Sequence, residues 1–585
     1  MKSFRFSICI IVILFLLRPV SAQNTTDYYA RGVIFRNQGK IPMALFAWVN
    51  GRNKLAKQGK TDPRIAFAFI ETATQFNKNN YFPLASTMYL ECLTRENFEK
   101  YPGFFIEEAN RMMPLFMEHN EKDPVDNWKM LIENRDARLA IEIKKYWIEN
   151  DREPFNEINE RLIEHWKRIG YSRNNFLNAD NTVYGTDDRA LFWIKYGKPD
   201  IMKSWVDPYT PGPYGKFVQI TYDIWIYRNL YPEQKESVIH GFGYARPVWG
   251  GEMRFRHLET FEQLGGGAEF YYRLSHLDEF FYDRYALKAG GYSRHFLSEE
   301  DKHDPAKYDA PLEKSDMDDL IQPVNIISEN MRFLDENNNP EMAVVAMSTP
   351  VNMFSRHSIS HTLKIYDADY NEIRQIEEYP EGKLDNVSFF NVEHKDSTTN
   401  YFLVARAFEE PVDSLNTVHI GRSPLDEKPP LNPDPELLEL SDLITGVDLP
   451  DYIDREQFPY PIVPSKGLYI GDPLKVYLEI YHLYLGPEGK AQYEIKYQID
   501  KWRKKGFWYD VPEYRKKEDR ISRSSSYESL TRTATEEVEF DISNIKVGRY
   551  VFTIKVTDLL SGQIRSRKGE FEIKEYEEEE KEKKK

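Results

Sequence analysis

The chain has 585 residues, and its hydrophobic fraction of 41% and charged fraction of 29% exclude intrinsic disorder over most of its length. Its 94 acidic residues outnumber the 78 lysines and arginines, which gives a formal net charge of −16. Because nucleic-acid binding needs a cationic surface that releases phosphate counterions, this balance argues against a nucleic-acid partner.

The first 22 residues have the pattern of a secretory signal peptide. Lys2 and Arg5 precede an apolar run from Phe6 to Leu17, and Val20-Ser21-Ala22 places small residues at a cleavage site. The run is too short to span a bilayer, and no later stretch approaches about 18 apolar residues. The sequence therefore predicts export with no transmembrane segment after cleavage. Cys92 then remains as the only cysteine, which excludes an internal disulfide.

Residues 23–170 are predicted to be helical. Asp62-Pro63 and Asp123-Pro124 each place a capping side chain before a proline suited to the first helical turn. The clearest helix is expected to begin near Pro154 and to end at Gly170. Apolar side chains recur along it at three- to four-residue steps: Phe155, Ile158, Leu162, Trp166 and Ile169. Its other face is charged and is predicted to contact only solvent: Glu157, Arg161, Glu164 and Arg168.

Residues 171–298 have a mixed α/β pattern. Ala190 to Tyr196 is a short aromatic run, predicted to be a strand that ends at Gly197-Lys198-Pro199-Asp200. Thr221 to Tyr227 alternates in the manner of a second strand. Residues 299–321 are dense in acids and lysines and are predicted to be a linker.

The remaining sequence predicts β structure. Residues 322–423 are expected to form one antiparallel β-sandwich and residues 466–576 a second, immunoglobulin-like in general form. Residues 424–465 are proline-rich and acidic, and indicate a linker or a strap lying along a neighbour. Residues 577–585 form a charged tail. The predicted fold class is multidomain α+β, with a helical N-terminal region, a mixed α/β domain and two sandwiches.

The usual catalytic and metal-binding signatures are absent from the sequence. It contains no HExxH, GxSxG, Walker loop or GxGxxG after a strand. Cys92 lies in an apolar helical context and is predicted to be a buried structural thiol. His357 and His361 are four residues apart, but no carboxylate is placed to complete a metal site. No metal and no cofactor are predicted.

One polar cluster is a candidate site: Thr186-Asp187-Asp188-Arg189, followed by Gly197 and Pro199-Asp200. In the functional interpretation it lines a polar cleft, with Asp187 and Asp200 as acid/base candidates. In the structural interpretation an Asp–Arg ion pair fixes the geometry of the loop, and the threonine closes a turn. The structural interpretation is favoured, because sequence spacing does not bring two carboxylates together.

The motifs around this cluster resemble the GWxTD-domain family, bacterial exported or envelope proteins whose biochemical role is unassigned. The resemblance covers roughly Trp147 to Tyr227. It is carried by Arg152-Glu153-Pro154, Asn159-Glu160, His165-Trp166, Arg168, Tyr171, Thr186-Asp187, Arg189, Gly197, Pro199-Asp200 and Asp223-Ile224-Trp225-Ile226-Tyr227. Where the family has Gly-Trp before x-Thr-Asp, this chain has Val183-Tyr184. Family members also continue into β-domains, and Leu440-Ser441-Asp442-Leu443 resembles one of their C-terminal features.

These observations favour a non-enzymatic binding or scaffold protein in the periplasm or at the surface of a bacterium. We expect it to recognise an envelope protein partner through its sandwiches and through aromatic surfaces. The alternative is an envelope hydrolase or glycan-binding protein with a cleft in the GWxTD-type domain.

Overall fold

The computed structural model describes residues 27–116, 124–178, 182–211, 217–228, 230, 237–245, 255–257, 268–289, 314–349, 357–380, 386–394, 398–409, 419–446, 468–469, 474–501, 521–541 and 545–574. The predicted signal peptide, Asp123 and the charged tail lie outside these residues. The chain divides into two compact units, Met1–Met317 and Asp318–Lys585. Within the described residues, no helix is both long enough and apolar enough to cross a bilayer.

The first unit begins with a layer of helices, as the sequence predicts. They are α1 (Tyr28–Asn37), α2 (Ile41–Ala56), α3 (Pro63–Gln75), α4 (Phe82–Cys92), α5 (Arg95–Lys100), α6 (Pro102–Phe116), α7 (Pro124–Glu133), α8 (Arg138–Glu149), α9 (Glu160–Asn175) and α10 (Arg189–Tyr196). The predicted cap of α3 is confirmed, because the Asp62 side chain accepts the Arg64 backbone N–H at 3.0 Å and Pro63 is the first helical residue.

The core of this layer is aromatic and contains the Cys92 thiol. Trp48, Trp147 and Tyr89 are fully buried within it. Cys92 is also fully buried, and its Sγ donates to the Tyr89 carbonyl oxygen at 3.0 Å. Burial raises the pKa of this thiol well above its usual value, and the prediction of a buried thiol is confirmed.

Helix α9 differs from its predicted limits. It begins at Glu160, with the Asn159 side chain as its cap, and it continues past Gly170 to Asn175. A Cβ at Gly170 would lie 3.2 Å from the Gln75 Cα of α3. Gly170 therefore permits close helix packing and does not end the helix.

The segment predicted as a strand from Ala190 to Tyr196 is a helix, α10, so that prediction was wrong. Ala190, Trp193 and Ile194 are buried at helical spacing. A short apolar run cannot be assigned to strand or helix by periodicity alone. Gly197 ends the helix at a φ of 74°, and its N–H donates to the Trp193 carbonyl oxygen at 2.9 Å.

An antiparallel sheet lies next to this helical layer. Its strands are β1 (Ile201–Pro211), β2 (Phe217–Tyr227), β3 (Val238–Ala245) and β4 (Arg256–His257), in that order. The predicted strand Thr221 to Tyr227 is confirmed within β2. Trp225 and Phe242 face the helical core, whereas Ile224 and Ile226 pack with α11 (Ala268–Leu274) and α12 (Glu279–Ala289). This part of β2 is therefore buried on both faces.

The second unit begins with two sheets. Their strands are β5 (Gln322–Pro323), β6 (Asn325–Leu334), β7 (Pro340–Thr349), β8 (His357–Tyr366), β9 (Glu372–Glu378), β10 (Asn386–Glu393), β11 (Asn400–Glu409) and β12 (His419–Pro424). One sheet has the order β10-β7-β6 and the other β5-β12-β11-β8-β9. The pairing is antiparallel except between β5 and β12. Val344 of β7 and Leu363 of β8 lie in one core shared by the two sheets.

Two further sheets follow. Their strands are β13 (Glu439–Leu440), β14 (Ile444–Gly446), β15 (Leu468–Tyr469), β16 (Leu474–Tyr481), β17 (Ala491–Lys501), β18 (Ile521–Ser529), β19 (Ala534–Phe540), β20 (Gly548–Asp558) and β21 (Ile564–Lys574). One sheet contains β13, β16, β14 and β19, and the other has the order β15-β21-β20-β17-β18. Leu478 of β16 and Ile554 of β20 belong to their common core. The coarse α+β prediction is confirmed.

Strand β16 is buried on both faces. Val476 faces the core described above. Tyr477 packs on its other side with Phe333 of β6 and Val345 of β7. Alternation of Tyr and Glu with aliphatic residues is typical of a strand with one face in solvent, but Tyr477 packs on a second sheet and donates to the buried Glu479.

Residues 425–446 pack against this junction, and we refer to them as the strap segment. Leu431 packs with Leu334 and Tyr481. Asp442 forms an ion pair with Arg332 of β6 at 2.7 Å. Of the two interpretations of residues 424–465, a strap therefore describes this part, and residues 447–465 lie outside the described residues.

Candidate functional site

The turn before α10 is built around the Asp187 carboxylate, which is 2% exposed. Its oxygens accept the Leu177 backbone N–H at 3.0 Å and Arg189 Nε and Nη2 at 3.0 and 2.7 Å. The Arg189 backbone N–H is a fourth donor, at 3.2 Å. A carboxylate has about four acceptor positions, so those of Asp187 are filled by the protein itself.

Arg189 connects this turn to the sheet. Its Nη1 donates to Asp223 Oδ2 of β2 at 2.8 Å, and Asp223 is 4% exposed. Burial alone lowers the pKa of Arg189, but hydrogen bonds and attraction from Asp187 and Asp223 exceed that effect and leave the pKa raised. The guanidinium also lies 4.0 Å from the centre of the Phe255 ring. The predicted Asp–Arg pair is thus confirmed, with a third member that spacing did not reveal.

Thr186 and Tyr184 fix the approach to this turn. The Thr186 backbone N–H donates to Thr182 Oγ1 at 2.9 Å, and Thr186 is fully buried. Gly185 adopts a φ of 73°, a conformation suited to glycine. The Tyr184 hydroxyl donates to the Arg111 carbonyl oxygen of α6 at 2.7 Å. Burial raises the pKa of Tyr184, so this aromatic residue is a neutral, packed component of the turn.

The structure does not bring Asp200 together with Asp187. Asp187 precedes the N-terminus of α10, whereas Asp200 follows its C-terminus. Eight helical residues separate these ends by about 12 Å. Asp200 is exposed, and its Oδ2 accepts the Arg228 backbone N–H at 2.6 Å. The two acid/base candidates therefore form no catalytic pair in this structure.

The remaining motif residues have packing roles. A Cβ at Gly197 would lie 2.7 Å from Arg168 Nη2, so only glycine fits beside that side chain. The Tyr227 hydroxyl donates to the Gly197 carbonyl oxygen at 3.2 Å. Pro199 is buried, and Trp225 is fully buried with its ring 4.9 Å from that of Phe242.

The charged face of α9 is buried, so the prediction that it contacts only solvent was wrong. Arg161, Glu164 and Arg168 are 0%, 8% and 4% exposed. Glu164 accepts the Ser315 hydroxyl at 2.7 Å and the Asp316 backbone N–H at 2.8 Å. Glu164 also pairs with Arg161 and Arg168.

Arg168 binds the same segment, residues 314–316, which we call the returning chain. It donates to the Lys314 carbonyl oxygen at 2.8 Å and to Asp316 Oδ1 at 2.9 Å. The Lys314 backbone N–H donates to the Lys195 carbonyl oxygen at 2.9 Å. This part of the predicted linker 299–321 is therefore bound to the first unit, and residues 299–313 lie outside the described residues.

Two histidines that sequence analysis did not single out lie beside the motif turn. His240 Nδ1 and His257 Nε2 are 3.2 Å apart, within hydrogen-bonding distance. The Phe192 ring centre lies 4.1 and 4.4 Å from the two imidazoles. Asp188 Oδ2 accepts the His257 backbone N–H at 3.0 Å. Strands β3 and β4 bring these residues together from distant sequence positions, so no spacing signal marked them.

A cleft of about 380 Å³ opens at this point. Its lining is Pro114, Thr182, Val183, Tyr184, Asp187, Asp188, Leu191, Phe192, Lys195, Tyr196, His240 and His257. Asp188 Oδ1 has no hydrogen-bond partner among the described residues, whereas both carboxylate oxygens of Asp187 accept hydrogen bonds. An apolar wall with a few polar groups and this volume is typical of a small-ligand site.

The structure gives no support for a metal site at His361. Its Nε2 lies 2.9 Å from Ser348 Oγ and its Nδ1 lies 2.8 Å from Ser388 Oγ, so both nitrogens are occupied. Across the described part of the chain, no group of three or more His, Cys, Asp or Glu side chains has a metal-binding arrangement.

No family model matches this chain, and no curated protein matches it. The resemblance to the GWxTD-domain family therefore rests on the motif residues between Trp147 and Tyr227.

Proposed function

We propose that the chain is a GWxTD-family protein, exported by a bacterium, that acts as a non-enzymatic binding or scaffold protein of the cell envelope. The observation that carries this proposal is that donors of the protein itself occupy the acceptor positions of the Asp187 carboxylate. A general base needs an available lone pair within hydrogen-bonding reach of its substrate. The lone pairs of Asp187 are used by Leu177 and Arg189, which supports an architectural role for the motif.

In this proposal the second unit binds the partner. Its paired sheets are interpreted as immunoglobulin-like sandwiches, which commonly offer edge strands to other proteins. Strand β9 is the last strand of its sheet among the described residues. Ile373 and Tyr379, within and just after it, are 61% and 55% exposed. An edge with such side chains suits an added strand from a partner.

Cross-linking in envelope extracts tests this function. The bait is the chain from Gln23 onward, compared with the double variant Ile373→Asp, Tyr379→Asp. Leu530→Asp is the matched control, because Leu530 is 74% exposed and lies away from β9, after β18. We expect one partner to be recovered with the bait and the control and lost with the double variant. Recovery of no partner, or equal recovery with all three, contradicts the proposal.

The cleft beside the motif supports a second candidate function, binding of a glycan. Asp188 Oδ1 is placed to accept a sugar hydroxyl, and the Phe192 and Tyr196 rings supply apolar surface. Calorimetric titration with envelope glycan fragments is the measurement, with Asp188→Asn as the variant and Asp200→Asn as the control. Binding lost only in Asp188→Asn supports this candidate, and absence of binding excludes it. Shortened glycan products would instead identify a hydrolase.

A further inference from the structure

Helices α1 and α2 form a closely packed pair. A Cβ at Gly32 would lie 2.1 Å from Trp48 Nε1, so the two helices approach at that glycine. Trp48 Nε1 also donates to the Tyr29 carbonyl oxygen at 3.2 Å. The pair is thus held together through its inner face.

The outer side of this pair carries an apolar groove of about 390 Å³. It is lined by Tyr28, Arg31, Phe35, Pro42, Met43, Phe46, Ala47 and Asn50. Met43 is 49% exposed and Phe46 is 66% exposed, and Ile34 nearby in sequence is 55% exposed. The core contacts of α2 are made by other residues, including Leu45 and Trp48. The fold therefore does not need these exposed apolar side chains.

The same helical pair is strongly cationic. Residues 27–60 contain seven lysines and arginines and one acid, a net charge of +6 in a chain whose total is −16. Arg36 and Arg52 pair with glutamates of neighbouring helices. The other five cations have no ion pair within the described residues: Arg31, Lys40, Lys54, Lys57 and Lys60.

Cations and exposed apolar residues meet at the groove itself. Arg31 lines it, and the Lys54 ammonium lies 5.7 Å from the centre of the Tyr28 ring, which also lines it. Met43, Phe46, Asn50 and Lys54 follow one another at three- to four-residue steps along α2, and the cap residue Lys57 comes three residues later. One face of the helix therefore passes from apolar side chains to cations.

We propose that α1 and α2 dock on an anionic lipid surface. Met43 and Phe46 enter the boundary between headgroups and acyl chains, while Arg31, Lys54 and Lys57 contact lipid phosphates. The Debye length is about 8 Å at physiological salt, so this local charge acts despite the acidic remainder of the chain. An acidic amphipathic protein segment would match the same chemistry, but Phe46 is 66% exposed, which suits insertion into a lipid interface. The inference does not depend on the proposed partner-binding function.

Vesicle sedimentation tests this surface. The protein is the chain from Gln23 onward, so that the apolar run Phe6 to Leu17 contributes nothing. We expect it to sediment with phosphatidylcholine vesicles that contain phosphatidylglycerol and to remain in solution with phosphatidylcholine alone. The bound fraction is expected to fall at high salt.

Two variants separate the apolar and the cationic contributions. Met43→Gln with Phe46→Gln, and separately Lys54→Glu with Lys57→Glu, are each expected to weaken binding about tenfold or more. Tyr272→Gln is the control, because Tyr272 of α11 is 60% exposed outside this surface. The Phe46→Trp variant is expected to retain binding, and the fluorescence of the added tryptophan is expected to be quenched by brominated lipid. Circular dichroism shows whether each variant is folded.

Three results would overturn the proposal. The first is failure of the parent chain to bind anionic vesicles. The second is unchanged binding by both double variants while they remain folded. The third is capture of a soluble acidic amphipathic peptide without vesicle binding, which would assign the groove to a protein segment.

Discussion

At the scale of single residues, Arg189 is the cation shared by Asp187 and Asp223. Removing one partner from a buried ion pair costs about 3–5 kcal/mol, because the other charge is left uncompensated. We expect Arg189→Ala to lower the unfolding free energy of the first unit by about that amount. Urea unfolding followed by tryptophan fluorescence measures the change.

Arg138 provides a matched control for that substitution. It binds Asp136, two residues earlier, with backbone, Nε and Nη2 contacts like those between Arg189 and Asp187. Its side chain is 60% exposed, so water replaces the lost contact. Arg138→Ala is expected to have no measurable effect. An equal effect of the two substitutions would show that burial of the motif pair is not what stabilises it.

Because His361 is buried, we expect the second unit to lose stability at acid pH. Burial between Ser348 and Ser388 lowers its pKa to about 4, against about 6.5 in an unfolded chain. The unfolded state therefore binds the proton first as the pH falls. The contribution of His361 to the unfolding free energy of the second unit is fully present above about pH 6.5 and is lost as the pH falls toward 4. The total loss from this group is about 3 kcal/mol.

His361→Gln tests this assignment, because glutamine does not titrate. We expect the variant to lose less stability than the parent chain between neutral and acid pH, whatever its stability at neutral pH. Chemical unfolding at a series of pH values measures the slopes. Identical slopes for parent and variant would rule out His361 as the source.

At the scale of elements, Glu164 on α9 holds the returning chain through Ser315 and Asp316. Losing a hydrogen bond to a charged group costs about 1.5–3 kcal/mol. Glu164→Ala is therefore expected to speed hydrogen exchange at the Asp316 amide by about tenfold or more. Glu157→Ala is the control, since Glu157 is exposed and precedes the helix. Unchanged exchange in Glu164→Ala would contradict this holding role.

The elements also show what the sequence predicts and where it fails. Capping at Asp62 and the alternation around Trp225 are local signals, and both gave the correct element. The charged face of α9 has the pattern of a solvent-exposed face, because periodicity cannot distinguish water from a distant chain segment with matching charges. The same reason explains β16, whose Tyr477 faces β6 and β7. Of the candidate site, the Asp187–Arg189 pair was predictable, whereas Asp223, His240 and His257 depend on sheet pairing.

At the scale of the whole molecule, the division at Met317 predicts two unfolding transitions. Eight of the ten tryptophans lie before residue 318, so fluorescence reports chiefly the first unit. Arg189→Ala is expected to lower the transition seen by fluorescence and to leave the other calorimetric transition unchanged. A single transition that shifts as a whole would contradict independent units.

If the chain is exported as proposed, the buried thiol of Cys92 has a consequence in an oxidising compartment. While the helical layer is folded, no oxidant or second chain can reach its Sγ. A copy whose helical layer opens would expose this thiol, and after signal-peptide cleavage the chain would hold no second cysteine, so an oxidant would link two such copies through a disulfide. The amount of disulfide-linked dimer that accumulates with time would then record how often the helical layer has opened.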